Sequence, residues 1–262
     1  MNIKFHKYQG AGNDFIIIDN RTQLYDLSRT IVNQLCDRKF GIGADGLMLL
    51  EECPGYDFRM RYFNADGQEA SLCGNGSRCI VDFARRLEIF STTTHFLAVD
   101  GPHEGRITAS GIQVKMQNVS QIIQTANYFF LHTGSPHYVK IVQDAFQTDV
   151  CQEGKIIRYS AGFQPEGTNV NFITPTPEYI KIATYERGVE NETLACGTGC
   201  VAAALTVACL NHDKQNTYTL KAKGGILKVS FEQETDGTFT NIWLEGPAEQ
   251  VFTGEIETKE IK

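Results

Sequence analysis

Arg61-Tyr-Phe-Asn-Ala-Asp-Gly-Gln-Glu-Ala-Ser-Leu-Cys73-Gly-Asn-Gly-Ser-Arg-Cys79 and Ala183-Thr-Tyr-Glu-Arg-Gly-Val-Glu-Asn-Glu-Thr-Leu-Ala-Cys196-Gly-Thr-Gly-Cys200 are two versions of one pattern. Each runs from an alternating strand, through a polar turn carrying Gly and Glu, to Cys-Gly-x-Gly, and then into a helix. The two cysteines stand a little under half the chain apart, as a degenerate internal duplication would place them. The pattern therefore predicts an α/β (α+β) chain of two similar halves. They are expected at residues 1–118 and 119–249, with a C-terminal strand within 250–262 returning to the first.

Outward from the two motifs, most of the chain reads as short strands. Asp57 to Phe63 and Tyr179 to Glu186 alternate with the two-residue period of a half-buried strand. Phe15 to Ile18, Leu47 to Leu50, Ile112 to Met116, His137 to Val142, Ile226 to Phe231 and Asn241 to Leu244 read similarly. Turn-forming clusters such as Asp100-Gly-Pro and Thr174-Pro-Thr-Pro separate them. Three stretches have helical spacing: Leu27 to Cys36, Ser77 to Leu87 and Ala202 to Leu210. The third is apolar nearly all round, which predicts a helix enclosed by sheet.

Composition narrows the function. Of 262 residues, 42% are apolar and 21% charged, the profile of a globular protein with a sizeable core. A net charge of −7 and the lack of any long basic run argue against a nucleic-acid partner. The longest apolar run, Val201 to Leu210, falls far short of the ~20 residues a membrane span needs. The N-terminus has no signal-peptide pattern, so a cytoplasmic protein with reduced thiols is expected. The eight cysteines are irregularly spaced and lack a zinc-knuckle form, so no metal is expected.

A helix N-terminus leaves backbone N–H groups unpaired and carries partial positive charge. Glycines there let a carboxylate or phosphate approach the backbone. A cysteine at the same point has its thiolate favoured, its pKa falling from about 8.5 toward ~3.5–7.5 in such settings. One such cysteine could be a nucleophile, a redox thiol or a core residue. Two of them suit the inversion of a carbon centre, which needs a base on one face and an acid on the other. Cys73 and Cys196 are thus the candidate pair. Cys79 and Cys200, in the first helical turns, are assigned to packing, and Cys36, Cys53, Cys151 and Cys209 have no supporting motif.

With these motifs in hand, the chain resembles the diaminopimelate epimerase family over essentially its whole length. The matching blocks are Gly10 to Phe15 (GAGNDF), Gly41 to Gly46 (GIGADG), Asn64 to Cys79, Gly134 to His137 (GSPH), Glu166 to Phe172 (EGTNVNF) and Tyr185 to Gly199. The resemblance implies two pseudo-symmetric halves, each a curved, mostly antiparallel sheet around a central helix, with the active site in the cleft between them. It implies conversion of LL-2,6-diaminopimelate to the meso isomer by thiolate and thiol without a cofactor, serving lysine and cell-wall precursor synthesis, in a homodimer. Cys73 and Cys196 correspond to the acid/base pair, and Gly74, Asn75, Gly197 and Thr198 to the groups holding the reacting carboxylate. Asn13, Asn64, Asn169 and Arg187 correspond to residues that recognise the distal amino and carboxylate groups. His137 and Glu186 correspond to polar residues that orient the amine and tune the thiols. Ser135 and Gly46 also fall at substrate-binding positions, but Ser135 stands where an Asn often precedes Pro-His, and Gly46 where others have Gln.

Other readings compete. A racemase of the same fold acting on proline, hydroxyproline or histidine would share the two cysteines; Arg187 argues against it, because a buried guanidinium suits a second carboxylate. A thiol redox or binding protein would use the pair as a switch. Gly41 to Gly46 is a literal GxGxxG, yet it follows a helical stretch and precedes a strand, the reverse of the dinucleotide fingerprint. No lysine sits in a recognisable pyridoxal-phosphate motif.

Overall fold

The computed structural model describes residues 2–70, 73–211 and 215–257. The chain divides into two compact units, Met1–Val114 with Pro247–Lys262, and Lys115–Gly246. Apart from a short extra strand in the second and the strands at their ends, the two have the same order of helices and strands.

In the first unit β1 (Asn2–Gly10) pairs antiparallel with β2 (Asn13–Asp19). Helix α1 (Arg29–Cys36) then carries the chain to β3 (Gly46–Glu51), which lies parallel to β2. Strand β4 (Phe58–Asn64) returns antiparallel, and α2 (Gly74–Arg86) crosses to β5 (Thr93–Ala98), parallel to β4. A meander through β6 (Gly101–Thr108) and β7 (Gly111–Lys115) follows. The second unit opens with β8 (Ile122–Gln124), β9 (Phe129–His132) and β10 (Pro136–Ile141), antiparallel in turn. It then repeats the sequence of moves. Helix α3 (Val150–Arg158) leads to β11 (Asn169–Pro175), parallel to β10, and β12 (Ile180–Glu186) returns antiparallel with β13 (Asn191–Thr193) beside it. Helix α4 (Gly197–Asn211) crosses to β14 (Thr217–Ala222), parallel to β12, and β15 (Gly225–Gln233) and β16 (Phe239–Gly246) complete the meander. The last strand, β17 (Glu249–Glu257), pairs antiparallel with β1. Each unit is thus α+β and mostly antiparallel, with parallel pairs only where a helix makes the crossover.

The second helix of each unit is its axis. Every residue of α2 from Gly74 to Ala84 is buried, and the helix packs on β1, β2, β3, β6 and β17. Helix α4 packs on β9 to β12 and on β14 to β16. Contacts on so many sides require a sheet curved around the helix. The sequence permits this in α4 because Ala202, Ala203 and Ala204 let strands come close, while Val201 and Leu205 fill the remaining space, each fully buried. Complete burial of such aliphatic side chains stabilises by roughly 1.5–3 kcal/mol apiece. Both helices begin before the apolar spacing does, at Gly74 and Gly197, because the low helix propensity of glycine hides the first turn from a periodicity reading. Among the described residues no helix is long and apolar enough to cross a membrane.

Candidate active site

Cys73 is the N-cap of α2, and its carbonyl accepts the first helical bond from the amide of Ser77 at 2.7 Å. Cys196 holds the same position on α4, its carbonyl accepting from Cys200 N at 2.9 Å. At each start the three preceding amides, at 74–76 and at 197–199, lie outside the helical ladder and point from the positive end of the dipole. Cys73 is half-buried, whereas Cys196 is 7% exposed. Cys79 and Cys200 are completely buried, as befits packing residues, and burial pushes the Cys79 thiol well above its ordinary value.

At Cys196 the preference of a helix start for thiolate is opposed by its surroundings. Burial first, and then the negative charge of Glu186, push its pKa well above the ordinary value. The Thr198 hydroxyl, 3.5 Å from Sγ, and the Gly199 amide pull the other way without prevailing. In the protein without substrate Cys196 is therefore a thiol. A helix terminus favours a thiolate only in competition with desolvation, and here desolvation wins.

Around Cys73 the first unit supplies amides. Asn13 Oδ1 accepts from Asn75 Nδ2 at 2.5 Å, and Asn13 Nδ2 donates to Asp45 at 3.1 Å. Asn75 Oδ1 accepts in turn from Nη2 of the wholly buried Arg78 at 2.8 Å. The Asn75 side chain thus braces the helix start. Asn64, at the end of β4, is exposed. Its side chain makes no hydrogen bond among the described residues. Gly46 begins β3 and is buried. A Cβ there would lie 2.6 Å from the Tyr62 ring and 2.7 Å from the Phe63 carbonyl, so this packing requires glycine and leaves no room for a side chain. The loop from Gly41 to Ala44 spends its amides on the C-terminus of α1: Gly41 N bonds Asp37 O, Ile42 and Gly43 bond Leu35 O, and Ala44 bonds Cys36 O. It has no cradle of amides for a phosphate.

The second unit gathers the rest around Cys196. His137 on β10 lies opposite Asn169 on β11. Ser135 Oγ is 3.0 Å from His137 Nε2, 3.1 Å from Asn169 Nδ2 and 3.4 Å from Thr198 Oγ1. Asn169 Oδ1 accepts from the backbone N of Arg187 at 2.9 Å, fixing that residue just past the end of β12. Glu186, the last residue of β12, accepts from the Thr193 hydroxyl at 2.9 Å. Arg187 corrects the expectation of a buried guanidinium. It is only partly buried and donates through Nη1 to the Glu166 carbonyl at 3.2 Å. It has no ion-pair partner among the described residues, so its charge is available to an incoming carboxylate. The sequence reading missed Asn171, Thr184 and Arg78. Asn171 carried a signal, for in Asn169-Val-Asn171 the two amides share one face of a strand.

Among the described residues no group of three or more His, Cys, Asp or Glu side chains is placed to hold a metal. The family model for diaminopimelate epimerase matches residues 5–121 and 129–251. The diaminopimelate epimerase of Flavobacterium psychrophilum is 48% identical over 257 residues, covering 97% of this chain and all of that one. That of Chlorobaculum tepidum is 45% identical, covering 94% of this chain and 98% of its own. Among solved structures, a Bacillus anthracis phenazine biosynthesis protein of the PhzF family matches with a TM-score of 0.80 at 15% identity, over 98% of this chain and 100% of that one. A probable proline racemase from Agrobacterium radiobacter matches at 0.71 and 14% identity, over 99% of this chain and 94% of its own. At such identities the likeness is one of fold.

Proposed function

The chain belongs to the diaminopimelate epimerase family, and from that footing we propose that Cys73 and Cys196 are the two proton carriers of its reaction. The enzyme is an isomerase that converts LL-2,6-diaminopimelate to meso-diaminopimelate, a step of lysine biosynthesis. The α-proton to be removed is weakly acidic, and the carbanion it leaves gains from electrostatic stabilisation of the neighbouring carboxylate. The amides of Gly74 and Asn75 on α2 and of Gly197 and Thr198 on α4 are suited to hold that carboxylate. One thiol, ionised, takes the proton; the other gives its own to the opposite face. The pair ends with protonation states exchanged, which is the starting state for the reverse reaction. The observation that carries this reading is that each cysteine caps a glycine-rich helix start, in topologically equivalent positions of the two units.

Asn13, Asn64, Asn169 and Arg187 are assigned to the distal end of the substrate, with Arg187 on the second carboxylate. Ser135, His137 and Glu186 are assigned to the environment of the thiols. Gly46 is assigned to packing beside the site. A cytoplasmic homodimer completes the proposal, as the resemblance implies. The test is an assay of reduced protein, with no cofactor added, against a panel of LL-diaminopimelate, proline, hydroxyproline and histidine. Activity confined to diaminopimelate is the expected result. Preference for any of the other three would overturn the substrate assignment.

A further inference from the structure

As far as Thr198, the hydrogen bonds behind Cys196 have only one consistent direction. Asn171 Nδ2 lies 2.9 Å from the Tyr138 carbonyl, which can only accept, and Asn171 Oδ1 accepts from the Thr184 hydroxyl at 2.9 Å. These partners fix which end of the amide is nitrogen. The second proton of Nδ2 then faces His137 Nδ1 at 3.0 Å, so Nδ1 presents its lone pair. His137 is fully buried, and burial holds its pKa down at about 3, with His132 adding to the effect. The ring is therefore neutral with its proton on Nε2, which donates to Ser135 Oγ at 3.0 Å. Asn169 Nδ2 donates to the same oxygen at 3.1 Å, oriented by the Pro136 carbonyl at 3.1 Å and the Arg187 amide at 2.9 Å. With two donors on its lone pairs, Ser135 can only give its own proton away. The acceptor is Thr198 Oγ1, 3.4 Å distant, which leaves the Thr198 proton free to turn to Cys196 Sγ at 3.5 Å.

We propose that Asn171, His137, Ser135 and Thr198 form a one-way hydrogen-bond relay, started by backbone carbonyls, that turns the Thr198 proton onto the Cys196 sulfur. The proposal rests on the reading of Cys196 as a proton carrier. Asn171 and His137 are positioning residues that act through Ser135. A donor held on sulfur favours the thiolate, which Cys196 must become in one direction of the reaction. The groups that oppose or modify it are Glu186 on β12 and Cys200 one turn along α4; those facing His137 are His132 on β9 and Arg187 beyond β12. Gly199 makes the arrangement possible. A Cβ at that position would lie 2.5 Å from Asn171 Oδ1, so only glycine lets the amide sit against the helix start.

The test is the pH dependence of iodoacetamide alkylation at Cys196, read by peptide mass mapping on the full-length protein without substrate. Ser135→Ala should raise the Cys196 midpoint by about one pH unit, a tenfold loss of thiolate at a given pH, and leave that of Cys73 unchanged. Ser135→Thr, which keeps a hydroxyl, should restore it. Asn171→Asp should act like Ser135→Ala, because a carboxylate would draw the imidazole proton to Nδ1 and make Nε2 an acceptor for Ser135. If Asn171→Asp fails to fold, the serine pair still decides. A Cys196 midpoint unmoved by Ser135→Ala overturns the relay, as does an equal shift at Cys73. Activity surviving in Cys196→Ala would instead remove the proposed function, and the titration would still report on the relay.

Discussion

Cys73→Ala and Cys196→Ala are each expected to lose epimerisation by about 10⁴-fold, the upper range for a positioned acid or base. The reason is that the proposed mechanism gives each face of the carbon a single proton carrier. Without one, the carbanion is either never formed or never protonated on the inverting side. The fold should survive, since Cys73 is half-buried and Cys196 removes only one sulfur from a site already bordered by Thr198 and Gly199. Cys79→Ala and Cys200→Ala make the contrast. Both sulfurs are fully buried, so their loss should cost stability, on the order of 1–2 kcal/mol, while leaving substantial turnover. Steady-state rates beside melting curves for the four variants check this. A dead Cys200→Ala with an active Cys196→Ala would shift the second motif by one turn.

The second large effect is expected at Arg187. Arg187→Met should lower kcat/KM for diaminopimelate by roughly a hundredfold. That corresponds to the 1.5–3 kcal/mol of a typical hydrogen bond to a charged group, at about 1.4 kcal/mol per factor of ten. A fully dry pocket would make the loss larger, but the guanidinium is partly exposed and bonded to the Glu166 carbonyl. The same variant should improve the relative use of an amino acid with an apolar tail, because no charge is then left unmatched. Competition between the two substrates measures the ratio directly. An unchanged ratio would place the distal carboxylate elsewhere.

The path from sequence to fold was open where pattern and packing agree. The run Val201 to Leu210 could only be an enclosed helix, and α4 is one. The repeated Cys-Gly-x-Gly marked both helix starts. Helix α3 was illegible because Gly154 interrupts it, and that glycine is explained only by Tyr185, whose Cβ would sit 2.4 Å from an added methyl. The duplication itself held the missing signal, for α1 in the first unit demands a counterpart between β10 and β11.

The elements that carry the candidate residues were legible in the sequence, and the electrostatics around them less so. The motif places Cys196 at a helix start, but how far burial and Glu186 would raise its thiol depends on side chains brought in by β12. Likewise Asn171 acquires its meaning only from the Tyr138 carbonyl and the Thr184 hydroxyl, which fix its orientation from two neighbouring strands. Sequence spacing names such residues; the direction of their hydrogen bonds needs coordinates.

Deuterium transfer tests the two-thiol account most directly. With LL-diaminopimelate in heavy water, sampled at low conversion, the meso product should carry one deuterium at the inverted carbon, while recovered LL substrate should carry almost none. That outcome requires the proton removed and the deuteron delivered to belong to different groups on opposite faces. Product that keeps its original hydrogen, or label appearing equally in recovered substrate and product, would mean that a single group serves both faces, and would contradict the assignment of Cys73 and Cys196 as an acid/base pair.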